Sequence, residues 1–160
     1  MRRVATVLLA VAFLSLPARA WADVTGFLGV NPTPSNRPLT GLAAGVGLLI
    51  VGFEFEYAHT REDADQLAPA LQTYMFNGLV QTPFPIGGMQ FYATTGGGVY
   101  RETLFDDTVT NVGVNVGGGV KMNLAGPLRL RLDYRIFTLR GTRVRHERPQ
   151  RFYAGLNLKF

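Results

Sequence analysis

The sequence predicts an all-β fold, an eight-stranded antiparallel up-and-down transmembrane β-barrel, on three observations. Apolar and polar residues alternate with period two along most of the chain. Turn residues punctuate the runs. Glycine and aromatic residues are plentiful where lysine and serine are scarce. Strict alternation marks a strand with two unlike faces, because successive side chains point to opposite sides of a sheet. All 19 glycines lie after residue 22, and lysine occurs only at Lys121 and Lys159. A wet surface normally carries many mixed charges. This composition suits a chain whose outer surface is not water.

Residues 1–22 read as an export signal. Arg2 and Arg3 form a positive start, and Val4 to Leu16 form a run broken only by Thr6 and Ser15. Pro17 ends that run, and Ala20-Trp21-Ala22 offers the small-x-small pattern of a signal-peptidase site. Cleavage is expected after Ala22, with Ala20 as the alternative. The apolar run is shorter than the ~20 residues a retained helical anchor needs. The rest, 23–160, has the size of one domain.

Without its signal the chain has 13 Lys and Arg against 11 Asp and Glu, so its charge is nearly balanced. No basic stretch interleaves with stacking aromatics, so a nucleic-acid partner is not implied. Cysteine is absent, which excludes a disulfide framework and a lipid-modified N-terminal Cys.

Strands are expected near 24–30, 41–48, 51–59, 71–81, 89–101, 111–124, 128–140 and 150–160. The first and fourth are the least defined, since Phe27 and Tyr74 leave their faces open. Residues 41–53 are apolar enough for a helix, but Gly45, Gly47 and Gly52 each weaken one by about 1 kcal/mol. A tight turn near Leu49 and Ile50 therefore divides two strands. In the third, Val51, Phe53, Phe55 and Tyr57 oppose Gly52, Glu54, Glu56 and Ala58. In the fifth, Met89, Phe91, Ala93 and Val99 oppose Gln90, Tyr92, Thr94, Gly96, Gly98 and Tyr100. In the sixth, Val112, Val114, Val116, Val120 and Met122 oppose Gly113, Asn115, Gly117, Gly119 and Lys121. In the seventh, Leu128, Leu130, Leu132, Tyr134 and Ile136 oppose Arg129, Arg131, Asp133 and Arg135. The last alternates Phe152, Ala154, Leu156, Leu158 and Phe160 with Arg151, Tyr153, Gly155, Asn157 and Lys159. Long connections at 31–40, 60–70, 102–110 and 141–149 alternate with short ones, as in an outer-membrane barrel.

A soluble, lipocalin-like carrier would show the same alternation with its apolar face inside. Glycine, however, clusters on the polar face, where it suits a crowded eight-stranded lumen and would only weaken a wet strand. The polar-face charges are acids and bases on different strands. Glu54 and Glu56 point across the lumen at Arg129, Arg131 and Arg135, with Lys121 and Asp133 nearby. They are expected to form a buried ion-pair network rather than an acid/base pair, since buried charges persist only when paired. A narrow channel for ions or very small solutes is the alternative.

The export signal, the glycine-aromatic strands and the closing segment Gly155-Leu-Asn-Leu-Lys-Phe160 resemble the small eight-stranded outer-membrane proteins of the OmpA and OmpX type. That resemblance implies a Gram-negative outer-membrane, porin-like barrel held in lipid. It also implies that Phe152, Leu156, Leu158 and Phe160 form the signal read by the barrel-insertion machinery.

Catalysis is not expected. Nucleophilic hydrolysis needs Ser or Cys beside a base, and after residue 22 the chain has only Ser35, His59 and His146 for that chemistry. Gly96-Gly97-Gly98 and Gly117-Gly118-Gly119 lack the following helix and Lys-Ser/Thr pair of a phosphate loop. No cofactor or metal is implied, and no loop partner is legible. Arg140, Arg143, Arg145, His146 and Arg148 form a basic loop. It is expected to pair with Glu62, Asp63, Asp65, Asp106 and Asp107, or else to hold lipid phosphates.

Overall fold

A computed structural model describes residues 20–141 and 148–160. Most of the export-signal reading, together with Arg143, Arg145 and His146, lies outside the described residues. Eight strands follow one another: β1 Ala20–Asn31, β2 Arg37–Leu48, β3 Val51–Thr60, β4 Ala70–Gln81, β5 Met89–Leu104, β6 Asp107–Ala125, β7 Leu128–Leu139 and β8 Gln150–Lys159. Each pairs antiparallel with its sequence neighbour, and β1 closes on β8.

One ladder row shows how the wall closes. It leaves Ala20 and passes Leu48, Val51, Val80, Ala93, Gly118, Tyr134 and Phe152. It returns to β1 at Val30, ten residues along the same strand. A stagger of that size over eight strands tilts them about 40° from the barrel axis.

The sequence-based strands are all present, with three differences. β1 starts at Ala20 and β2 at Arg37, each earlier than expected. The segment 102–110 is not a long loop. β5 and β6 continue pairing through Glu102↔Val109 to Leu104↔Asp107, leaving a turn at Phe105 and Asp106. Its charged residues suggest a loop, yet a paired neighbour satisfies the backbone however polar the side chains are. The Leu49–Ile50 turn is where the sequence places it, with Leu49 at φ 48°.

Alternation separates two opposite environments. The outer wall exposes Leu28, Leu42, Phe76, Val80 and Val112, each at least 60% accessible. Among the described outward strand positions the only charged residue is Arg101, near the long-loop rim. Tyr57 and Tyr74 lie one outward row below it, with ring centroids 5.0 Å apart. Inside sit Asp23, Glu54, Glu56, Lys121, Arg129, Arg131, Asp133, Arg135 and Arg151, all buried. A soluble domain has the reverse arrangement. Phe27 faces the lumen and Tyr74 the outside, which settles the two open faces.

Candidate functional site

The lumen is built in layers. Nearest the short-turn rim, Asp23 on β1 accepts from Lys121 Nζ on β6 at 2.7 Å and from Arg129 on β7 at 3.1 Å. Arg129 also donates to Asn157 and Gln90, at 2.8 and 3.2 Å. Two cations thus share one carboxylate, and neutral amides take two further guanidinium hydrogens.

In the middle layer Arg131 donates to both carboxylate oxygens of Glu54 and reaches Asp133 at 3.1 Å. Its Nε donates to the Tyr92 hydroxyl at 2.8 Å, and that hydroxyl donates to Asp133. The guanidinium carbon lies 4.9 Å from the Tyr92 ring centroid and 5.6 Å from that of Tyr153. Aromatic faces therefore replace part of the water this cation has lost.

Arg135 links the middle layer to the next. It meets Asp133 at 2.9 Å and both Glu54 and Glu56 at 3.1 Å. Glu56 also takes Arg151 at 2.7 Å, and Arg151 donates to Thr73 at 2.8 Å. Toward the long-loop rim the filling becomes apolar, with Leu71, Met75, Tyr100, Phe137 and Leu139 in one buried cluster. Arg131, Arg135 and Arg151 are at most 1% exposed, so a water-sized probe barely reaches that level from either end.

Glycines make the room for these large side chains. A Cβ at Gly117 would lie 2.8 Å from Arg135 Cγ, and one at Gly119 would lie 2.5 Å from the Tyr92 hydroxyl. The glycine triplets thus serve packing, with no phosphate-loop helix after them.

All seven sequence-nominated lumen residues are buried together, but their partners differ from expectation. Arg131 and Arg135 meet Glu54, and Arg135 meets Glu56. Arg129 does not reach either glutamate and pairs with Asp23 instead. The tilt of β7 carries its first arginine below the glutamate level. Asp23 and Arg151 join the network beyond the residues that the sequence singles out. Arg151 stood on the polar face of the last strand and could have been found there, whereas Phe27 obscured the face that Asp23 shares.

At the long-loop rim Ser35 donates to Asp63 at 2.7 Å, and Glu62 accepts from the Phe105 N–H at 3.3 Å. Among the described residues, Arg140 and Arg148 form no ion pair with the acidic loops, contrary to the expectation for them. His59 projects outward from β3, between Thr40 and Gln72 on the ladder.

The sequence matches no known family profile and no curated protein. Solved structures do match. The N-terminal β-barrel domain of Pseudomonas aeruginosa OprF aligns with a TM-score of 0.67 at 13% identity, over 88% of this chain and 97% of that one. Neisserial surface protein A aligns with a TM-score of 0.67 at 17% identity, over 88% and 96%. The outer membrane enzyme PagL aligns with a TM-score of 0.55 at 11% identity, over 85% and 98%. The fold is that of the small eight-stranded outer-membrane β-barrels. On this barrel Phe152, Leu156, Leu158 and Phe160 all lie on the outer face, 38–70% exposed. The Phe160 N–H donates to the Ala22 carbonyl at 2.8 Å, extending the seam between β8 and β1.

Proposed function

We propose that the protein is a non-enzymatic integral barrel of the Gram-negative outer membrane, with a structural or interaction role and a lumen plugged by its ion-pair network. One observation carries this reading: a charged, water-excluding interior inside a wall whose described strand positions carry a single outward charge. Only lipid makes such a wall favourable, because apolar surface costs about 25 cal/mol per Å² in water. A cleaved signal exports the chain, the barrel-insertion machinery reads β8, and lipid surrounds the finished wall. The sharing of a fold with PagL does not carry over its chemistry. Ser35 is engaged with Asp63 rather than a histidine, which supports a role other than hydrolysis.

Envelope fractionation with semi-native electrophoresis tests the reading. The expected result is an outer-membrane band that shifts on heating. A soluble periplasmic band would overturn it in favour of a carrier. Planar-bilayer recording tests the plug. Wild type should conduct little, and Glu54→Ala with Glu56→Ala should conduct more. A large, steady conductance indifferent to both substitutions would make the protein a narrow channel.

A further inference from the structure

We infer that the export signal is cut after Ala20, so that Trp21 begins the mature chain and closes the lumen at the short-turn rim. The inference rests on the export reading. It follows from what the residues just before Asp23 do in the barrel.

β1 does not begin at Asp23. Ala20, Trp21 and Ala22 pair with Leu48, Gly47 and Val46 of β2, and Ala22 accepts the Phe160 N–H. Trp21 shares the inward face with Asp23 and Thr25. Its indole lies against the bare Cα of Gly47, where a Cβ would come within 2.6 Å of the ring. Lys159 Nζ sits 4.6 Å from an indole ring centroid. Cation–π contact with Trp is the strongest of its kind.

The indole is also a partition. On its inner side is a cavity of about 10 Å³, lined by Asp23, Glu54, Gln81 and Lys121 together with Trp21. On its outer side, among the short-turn residues, is a larger space of about 350 Å³ that includes Pro83, Pro127, Arg129 and Lys159, again with Trp21. Cutting after Ala22 would remove this partition. It would also place a new α-ammonium on Asp23, whose carboxylate already serves Lys121 and Arg129. A third cation there adds repulsion in a poorly hydrated site.

The sequence allows the earlier cut. Ala18-Arg19-Ala20 is a small-x-small pattern equal to Ala20-Trp21-Ala22. Water adds across the Ala20–Trp21 amide, leaving a carboxylate on Ala20 and an ammonium on Trp21.

Trp21 is the sole tryptophan of the chain, so the two cuts give optically different proteins. The test is to express the full precursor, purify the barrel from outer membranes, and record intact mass and tryptophan emission. The expected product is residues 21–160 with an emission that Trp21→Phe abolishes. A product of residues 23–160 without tryptophan emission overturns the inference and leaves export intact. An uncut chain in the outer membrane overturns the cleavage, and absence of the chain from the outer membrane overturns export itself. Ala18→Leu should eliminate the product that begins at Trp21, whereas Ala22→Leu should preserve it. The opposite pattern would place the cut after Ala22. The partition has its own readout: a small water-soluble amine-acylating reagent should label Lys159 in wild type and reach Lys121 only in Trp21→Ala. Equal labelling of Lys121 in wild type and Trp21→Ala would mean that the indole closes nothing.

Discussion

Arg131 on β7 holds Glu54 on β3 from the opposite wall of the barrel, donating from both terminal guanidinium nitrogens. The two side chains are 0% and 2% exposed. A forked pair of this kind is directional as well as strong, and it ties together strands that share no ladder. Its stability depends on each charge finding its partner, because water cannot replace either one.

Glu54→Gln should therefore destabilise the barrel by about 3–5 kcal/mol, since it leaves Arg131 and Arg135 short of a counter-charge. Glu56→Gln should cost a similar amount through Arg135 and Arg151. At the rim, Glu62→Gln should cost no more than about 1 kcal/mol. Urea unfolding in liposomes measures all three. Equal costs at rim and lumen would mean that the lumen charges are hydrated.

Arg151 and Glu56 should also show coupling. Arg151→Glu and Glu56→Arg should each lower stability, and the double variant should recover part of the loss. A double-mutant cycle isolates that term, which for contacting residues is typically about 0.5–3 kcal/mol. Additive losses would remove the pair from the network.

On the outer wall, Leu132→Arg should cost about 2–4 kcal/mol in a bilayer, the figure for a cation near the membrane midplane. Arg101→Leu should change stability by only about 0.5 kcal/mol, because it sits where the apolar belt ends. Folding into liposomes with Leu132→Arg at unchanged stability would invert the assignment of faces.

Deleting Phe160 tests the insertion signal. The heat-modifiable form should fall and proteolysed chain should accumulate, while Phe160→Tyr should retain assembly. Wild-type amounts of the folded form after deletion would leave the closing seam with a packing role alone.

Several features were legible because they are local. Period-two alternation needs only neighbouring residues, so the faces of β3, β5, β6, β7 and β8 could be read directly. Glu54, Arg131 and Arg135 share the lumen for the same reason. The preference for lipid outside came from glycine on the polar face, whose purpose the structure makes concrete at Gly117 and Gly119. Segment 102–110 is not legible in this way: its charges suggest a loop, while its pairing partner lies on the adjacent strand.

The sequence by itself determined that eight strands exist, which residues the two faces of β3 and of β5 to β8 carry, and that acids and bases would meet inside. Only the tertiary structure decided which acid meets which base, the inward turn of Phe27, and the entry of Asp23 and Arg151 into the network. The physical reason is the ten-residue stagger with which the wall closes. It tilts every strand, so the heights at which side chains face one another across the lumen depend on all eight registers together, and no local pattern records that sum.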